Sequence, residues 1–101
     1  MNFADLVTSD IRLGILQVLA QDAGYACNEA ILQSALNMLR ADNVSRDKVR
    51  TEMDWLAEQG LITVETVMGT KLGKLTNRGL DVAKGCSVVT GVRRPDPEEC
   101  K

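Results

Sequence analysis

The side chains best suited to chemistry in this chain are basic, and half of the twelve lie in its middle. Residues 46–78 hold Arg46, Lys48, Arg50, Lys71, Lys74 and Arg78 against five acids, whereas residues 1–45 hold two basic and five acidic side chains. Guanidinium and ammonium groups gathered in this way bind phosphates, and an arginine can also read a guanine edge. Arg50 suits a guanine, and Thr51 suits a thymine methyl or a phosphate. Asp54 and Glu58 lie on the same helical face and repel phosphates unless they turn away. The same stretch also reads as a solvated helix of mixed charge, with local Arg46–Asp47 and Arg50–Asp54 pairs worth about a few tenths of a kcal/mol.

Lys71, Lys74 and Arg78 fall within eight residues with no acid among them. They read as a phosphate clamp, or as lysines guarding the edges of a hairpin against aggregation. Arg93-Arg94 before Pro95 suits a minor-groove arm, or a basic pair on a mobile end balanced by Asp96, Glu98 and Glu99. The second reading is preferred there, because chain ends are usually mobile.

Catalytic chemistry has little to work with. The sequence has no histidine, no Cys/His pair, no phosphate-cradling glycine loop and no evident buried pair of carboxylates, so no enzyme activity and no cofactor are expected. Cys27, Cys86 and Cys100 form no CxxC motif and read as reduced thiols in a reducing compartment, not as metal ligands. Cys27, next to a helix start, is a place for a lowered thiol pKa, but a lone thiol reads as structural.

The elements that would position these groups follow from hydrophobic spacing and capping residues. A chain of 101 residues suits one domain. Only Phe3, Tyr25 and Trp55 are aromatic, so the core must be aliphatic. Residues 9–21 predict a helix capped by Thr8 or Ser9. Ile11, Ile15, Val18 and Leu19 share one face, and Leu13, Leu16 and Ala20 lie nearly opposite. That second apolar face needs a cover, either the C-terminal segment or a second copy of the chain, and Leu13, Leu16 and Ala20 are the expected dimer contacts.

Asn28 predicts the cap of a second helix, with Leu32, Ala35, Leu36 and Leu39 at helical spacing, ending near residue 40 or 41 before a turn at 42–43. Val44 is expected as an apolar plug. Ser45 caps a third helix with the buried stripe Val49, Met53 and Leu56, and Gly60 ends it. Trp55, at the edge of that stripe, reads as packing, since its area favours burial. Residues 61–67 are rich in β-branched types and predict a strand, with a glycine turn at 68–71 and a return strand at 72–75. Thr76 caps a fourth helix stopped by Gly85, and Gly79 within it suggests close packing. Residues 87–90 are a further place for a strand.

These residues resemble a known family. Trp55-Leu56-Ala57-Glu58-Gln59-Gly60-Leu61-Ile62 is similar to the end of a winged-helix recognition helix, and Leu75-Thr76-Asn77-Arg78-Gly79-Leu80-Asp81-Val82-Ala83 to the segment following the wing in bacterial winged-helix regulators. Arg46-Asp47-Lys48-Val49-Arg50 and Gly91-Val92-Arg93-Arg94-Pro95 further resemble small winged-helix proteins of Mu-like phages and prophages.

The expected fold is α+β, mostly α: a winged helix-turn-helix near 28–59 with a hairpin near 61–75 and a short C-terminal helix. The winged-helix domain is expected at 1–85 and an extended tail at 86–101. What the resemblance implies is a phage-type transcriptional regulator in the bacterial cytoplasm, with the helix at about 45–59 in the major groove of double-stranded DNA and the wing at about 68–74 on the backbone. Arg46, Lys48, Arg50, Thr51, Lys71, Lys74 and Arg78 are the expected DNA contacts. The alternative is a module that binds another phage or host protein, which the formal net charge of −2 favours.

Overall fold

The computed structural model describes residues 2–39 and 43–96. Seven elements follow in order: α1 (Phe3–Gln21), β1 (Ala26–Asn28), α2 (Glu29–Leu39), α3 (Arg46–Glu58), β2 (Ile62–Val67), β3 (Thr70–Leu75) and α4 (Asn77–Lys84).

Helix α1 starts earlier than its apolar spacing predicts. Asn2 is its cap, its Oδ1 accepting the Asp5 N–H at 2.8 Å. Ser9 is therefore not a cap but an interior residue, and its hydroxyl donates to the Leu6 carbonyl at 2.9 Å. The added turns carry Phe3, Leu6 and Val7, which are exposed, so burial periodicity gives no sign of them. Leu13, Ile15, Leu16 and Leu19 are all wholly buried. α1 achieves this by packing against α2, α3, α4 and β3.

The expectation of a dimer through Leu13, Leu16 and Ala20 is thereby corrected. Leu13 and Leu16 are 0% exposed within a single chain. Both faces of α1 are covered by the chain itself, with Val18 on one and Ala20 on the other keeping partial exposure.

The remaining caps fall where residue chemistry places them. Asn28 Oδ1 accepts the Ile31 N–H at 2.8 Å, Ser45 the Lys48 N–H at 3.1 Å, and Thr76 Oγ1 the Gly79 N–H at 3.0 Å. Val44 is buried as a plug, its N–H donating to Asn37 Oδ1 and its carbonyl accepting from Gln33. Residues 40–42, where the end of α2 and part of its turn are expected, lie outside the described residues.

Strand β1 was not predicted. Its three residues pair antiparallel with β3, Ala26 opposite Lys74 and Asn28 opposite Leu72. The sheet order is β1-β3-β2. β2 and β3 form a hairpin in register from Ile62–Leu75 to Val67–Thr70, so the return strand begins two residues earlier than predicted. Its two-residue turn, Met68-Gly69, has positive φ at both positions, 52° and 80°. Such a turn matches the twist of its strands.

Gly79 lets α4 sit directly on the α3–β2 corner: a Cβ there would lie 1.9 Å from the Leu61 carbonyl oxygen. From residue 86 to 96 the chain lies against the body of the domain, where an extended tail at 86–101 is expected. Val92 is buried in the core, and the Arg93 N–H donates to the Ser9 carbonyl at 3.1 Å. Residues 87–90 are irregular and do not form a strand. The last five residues lie outside the described residues.

Candidate functional site

Two buried carboxylates organise the basic side chains. Glu29, the first residue of α2, is 2% exposed. Its Oε1 accepts from Arg50 Nη1 at 2.5 Å and from the Lys71 backbone N–H at 2.6 Å. Arg46 Nη1 lies 3.8 Å from its Oε2. Arg50 Nη1 also donates to the Gly69 carbonyl in the hairpin turn at 3.1 Å, and Arg46 Nε to Gln33 Oε1 at 2.9 Å. One carboxylate thus joins α2, α3 and the hairpin. The Lys71 N–H is the main influence holding the Glu29 carboxyl below its ordinary pKa; burial pushes the other way, and the charges of Arg50 and Arg46 reinforce the lowering.

Glu52, also 2% exposed, lies on the inner side of α3. It accepts from Arg12 Nε at 2.6 Å, and Lys48 Nζ lies 2.9 Å away. Lys48 also donates to Thr8 Oγ1 at 2.9 Å. Arg12 lies 3.7 Å over the Trp55 ring and donates to the Gly91 carbonyl at 3.0 Å. Trp55 is therefore a packing residue between α1 and the C-terminal segment, as its size implied. A buried carboxylate needs such partners, because an unpaired charge away from water is costly.

Sequence reading missed both glutamates, yet each carries a signal. Glu52 falls three residues after Val49 and four before Leu56, both wholly buried. Glu29 falls three before Leu32 and seven before Leu36, also wholly buried. Helical spacing puts both acids on buried stripes.

The other expected site residues divide. Arg46, Arg50 and the backbone at Lys71 meet at Glu29. Lys71 Nζ pairs with Asp54 Oδ1 at 3.0 Å, so the local Arg50–Asp54 pairing is replaced by two pairs between elements. Lys71, Lys74 and Arg78 do not share one face. Strand alternation sends Lys71 and Lys74 to opposite sides of the hairpin, and Lys74 is exposed. Arg78 folds back onto the Gln59 carbonyl at 2.5 Å. Thr51 is exposed on α3, in a row with Asp47, Asp54 and Glu58. Arg93 is held, not loose: its Nε lies 2.6 Å from Asp10 Oδ1.

Of the two readings of Cys27, the activated thiol is the one the structure opposes. Burial in β1, with Asp22 nearby, pushes its thiol pKa up, so its position beside the α2 start does not activate it. Among the described residues, no group of three or more Cys, Asp or Glu side chains could hold a metal ion, and no helix is long and apolar enough to cross a membrane.

These features define an α+β protein, mostly helical, with four helices and a three-stranded antiparallel sheet among the described residues. The chain belongs to a family of Mu-like phage proteins. It is 50% identical over 93 residues to the uncharacterized protein gp26 of Escherichia phage Mu, a match covering 92% of this chain and 95% of that protein. It is 41% identical over 101 residues to an uncharacterized protein of Haemophilus influenzae, covering 98% and 95%. No family model matches the chain, and no solved structure matches it at a significant level.

Proposed function

We propose that this chain is a winged-helix DNA-binding protein, acting as a phage-type transcriptional regulator inside the bacterial host. In this reading α3 enters the major groove and the β2–β3 turn, the wing, lies on the phosphate backbone. The order α2–turn–α3–hairpin supports the winged-helix assignment. One observation carries the function: Arg46 and Arg50 of α3 converge with the hairpin at Lys71 on a single carboxylate. Helix and hairpin are therefore held together as one surface, on which Arg46 and Arg50 stay partly exposed. Arg50 and Thr51 are the base-reading candidates and Arg46 and Lys71 the phosphate candidates, whereas Lys48 bonds Thr8 and Glu52, Lys74 lies on the other side of the hairpin from Lys71, and Arg78 bonds the Gln59 carbonyl.

The test is titration of the labelled protein with duplex DNA at low salt, followed by amide chemical shifts. Movement in residues 46–51 and 69–78, with affinity falling steeply as salt rises, is the expected result. No movement in either segment would sink the reading.

A second reading, a protein-binding module, is favoured by the exposed row Asp47, Asp54 and Glu58 on α3, which phosphates repel. The outer face of α2 adds to it, because Ile31, Met38 and Leu39 are exposed there and residues 30–39 contain no charged side chain. Recovery of one stoichiometric protein partner, unaffected by nuclease, would favour this reading over DNA binding.

A further inference from the structure

Glu29 is the only side chain described above that touches α3 and the hairpin together from a third element. We propose that Glu29 is the positioning residue of the α3–hairpin surface, with its buried carboxylate aiming Arg46 and Arg50 and fixing the hairpin backbone so that all three meet one phosphodiester backbone. The inference rests on the DNA-binding reading and adds a residue that itself touches no DNA.

The geometry supports this in three ways. Two guanidiniums share one carboxylate, so the corner keeps net positive charge after its internal pairing. Each guanidinium has five N–H donors in a fixed fork. Arg50 spends one nitrogen on Glu29 and Gly69, and Arg46 directs two towards Gln33 and Glu29. Their side chains remain 35% and 49% exposed, leaving donors for an outside anion. Finally, an arginine already held in place loses less rotamer freedom on binding than one on a free stem.

Positioning and simple charge predict opposite signs. Removing a negative charge near a polyanion site ordinarily strengthens binding. Glu58→Gln, on the exposed α3 row, should therefore bind duplex DNA slightly tighter than the wild-type chain. Glu29→Gln should bind about five- to tenfold weaker, although it too removes a negative charge. Its salt dependence should also flatten, the slope of log affinity against log salt shrinking by about one to two.

The slope separates positioning from damage to the fold. Partial unfolding scales affinity by the folded fraction, so melts across the same salt series supply that fraction, and the slope corrected for it reports positioning alone. The experiment is fluorescence anisotropy on a mixed-sequence duplex across a salt series, with thermal melts confirming that each variant is folded. A folded Glu29→Gln chain that binds as tightly as wild type, or more weakly with an unchanged slope, overturns the inference while the DNA reading stands. A wild-type chain that does not bind the duplex overturns both, and this is seen before any variant is made. If Glu29→Gln does not fold, Arg50→Lys carries the test. It keeps the charge but displaces the one donor, Arg50 Nη1, that reaches both Glu29 and Gly69, and undiminished affinity in that variant overturns the inference.

Discussion

Glu29 and Lys71 lie 42 residues apart in the chain, and the Lys71 backbone N–H donates to Glu29 Oε1 at 2.6 Å. The bond ties the first turn of α2 to the hairpin strand β3. It also makes the hairpin's position depend on the charge of one buried carboxyl.

Acid should therefore loosen the hairpin. The folded-state pKa of Glu29 is depressed below the ordinary glutamate value of 4.5. A depressed carboxylate stabilises the fold fully above its unfolded pKa, and the benefit is lost as pH falls through the folded value. In urea unfolding, the stability gap between wild type and Glu29→Gln should be large at about pH 7 and shrink below about pH 4. A gap that stays constant across that range would show that the Glu29 charge contributes nothing.

Gly79→Ala should be strongly destabilising. The new methyl would lie 1.9 Å from the Leu61 carbonyl oxygen, a backbone atom that cannot rotate away. Overpacking of this kind costs about 1–3 kcal/mol and occasionally more. The helix propensity of alanine returns about 1 kcal/mol, so a net loss is expected. A melting temperature equal to or above wild type would contradict this contact.

Leu13→Ala should lower stability by about 2–5 kcal/mol, as a wholly buried leucine does when truncated. Sedimentation should show that the folded variant keeps the association state of the wild type, because Leu13 is covered within its own chain. A wild-type dimer that the variant dissociates would restore the α1 interface.

Cys27 should react slowly. Its thiol is partly covered and its pKa raised by burial, whereas Cys86 is exposed. The thiolate is the reactive form. Alkylation near neutral pH, followed by peptide mass spectrometry, should label Cys86 at least about tenfold faster than Cys27. Equal rates would mean that β1 opens readily.

The sequence alone determined most element boundaries. Asn28, Ser45 and Thr76 end up as caps because a short side-chain acceptor satisfies backbone N–H groups only a few residues away. Gly60 and Gly85 end helices with positive φ for an equally local reason. Tertiary structure decided what no local signal carries. Three residues of β1 become a strand only because β3 offers them partners from the far side of the chain. Leu13 and Leu16 were legible as apolar, but periodicity says which side chains seek cover and not what provides it. The same holds for the charges. Arg50 has an acid four residues away in Asp54, yet it bonds Glu29, because a carboxylate held away from water needs its cation more than one in solvent does.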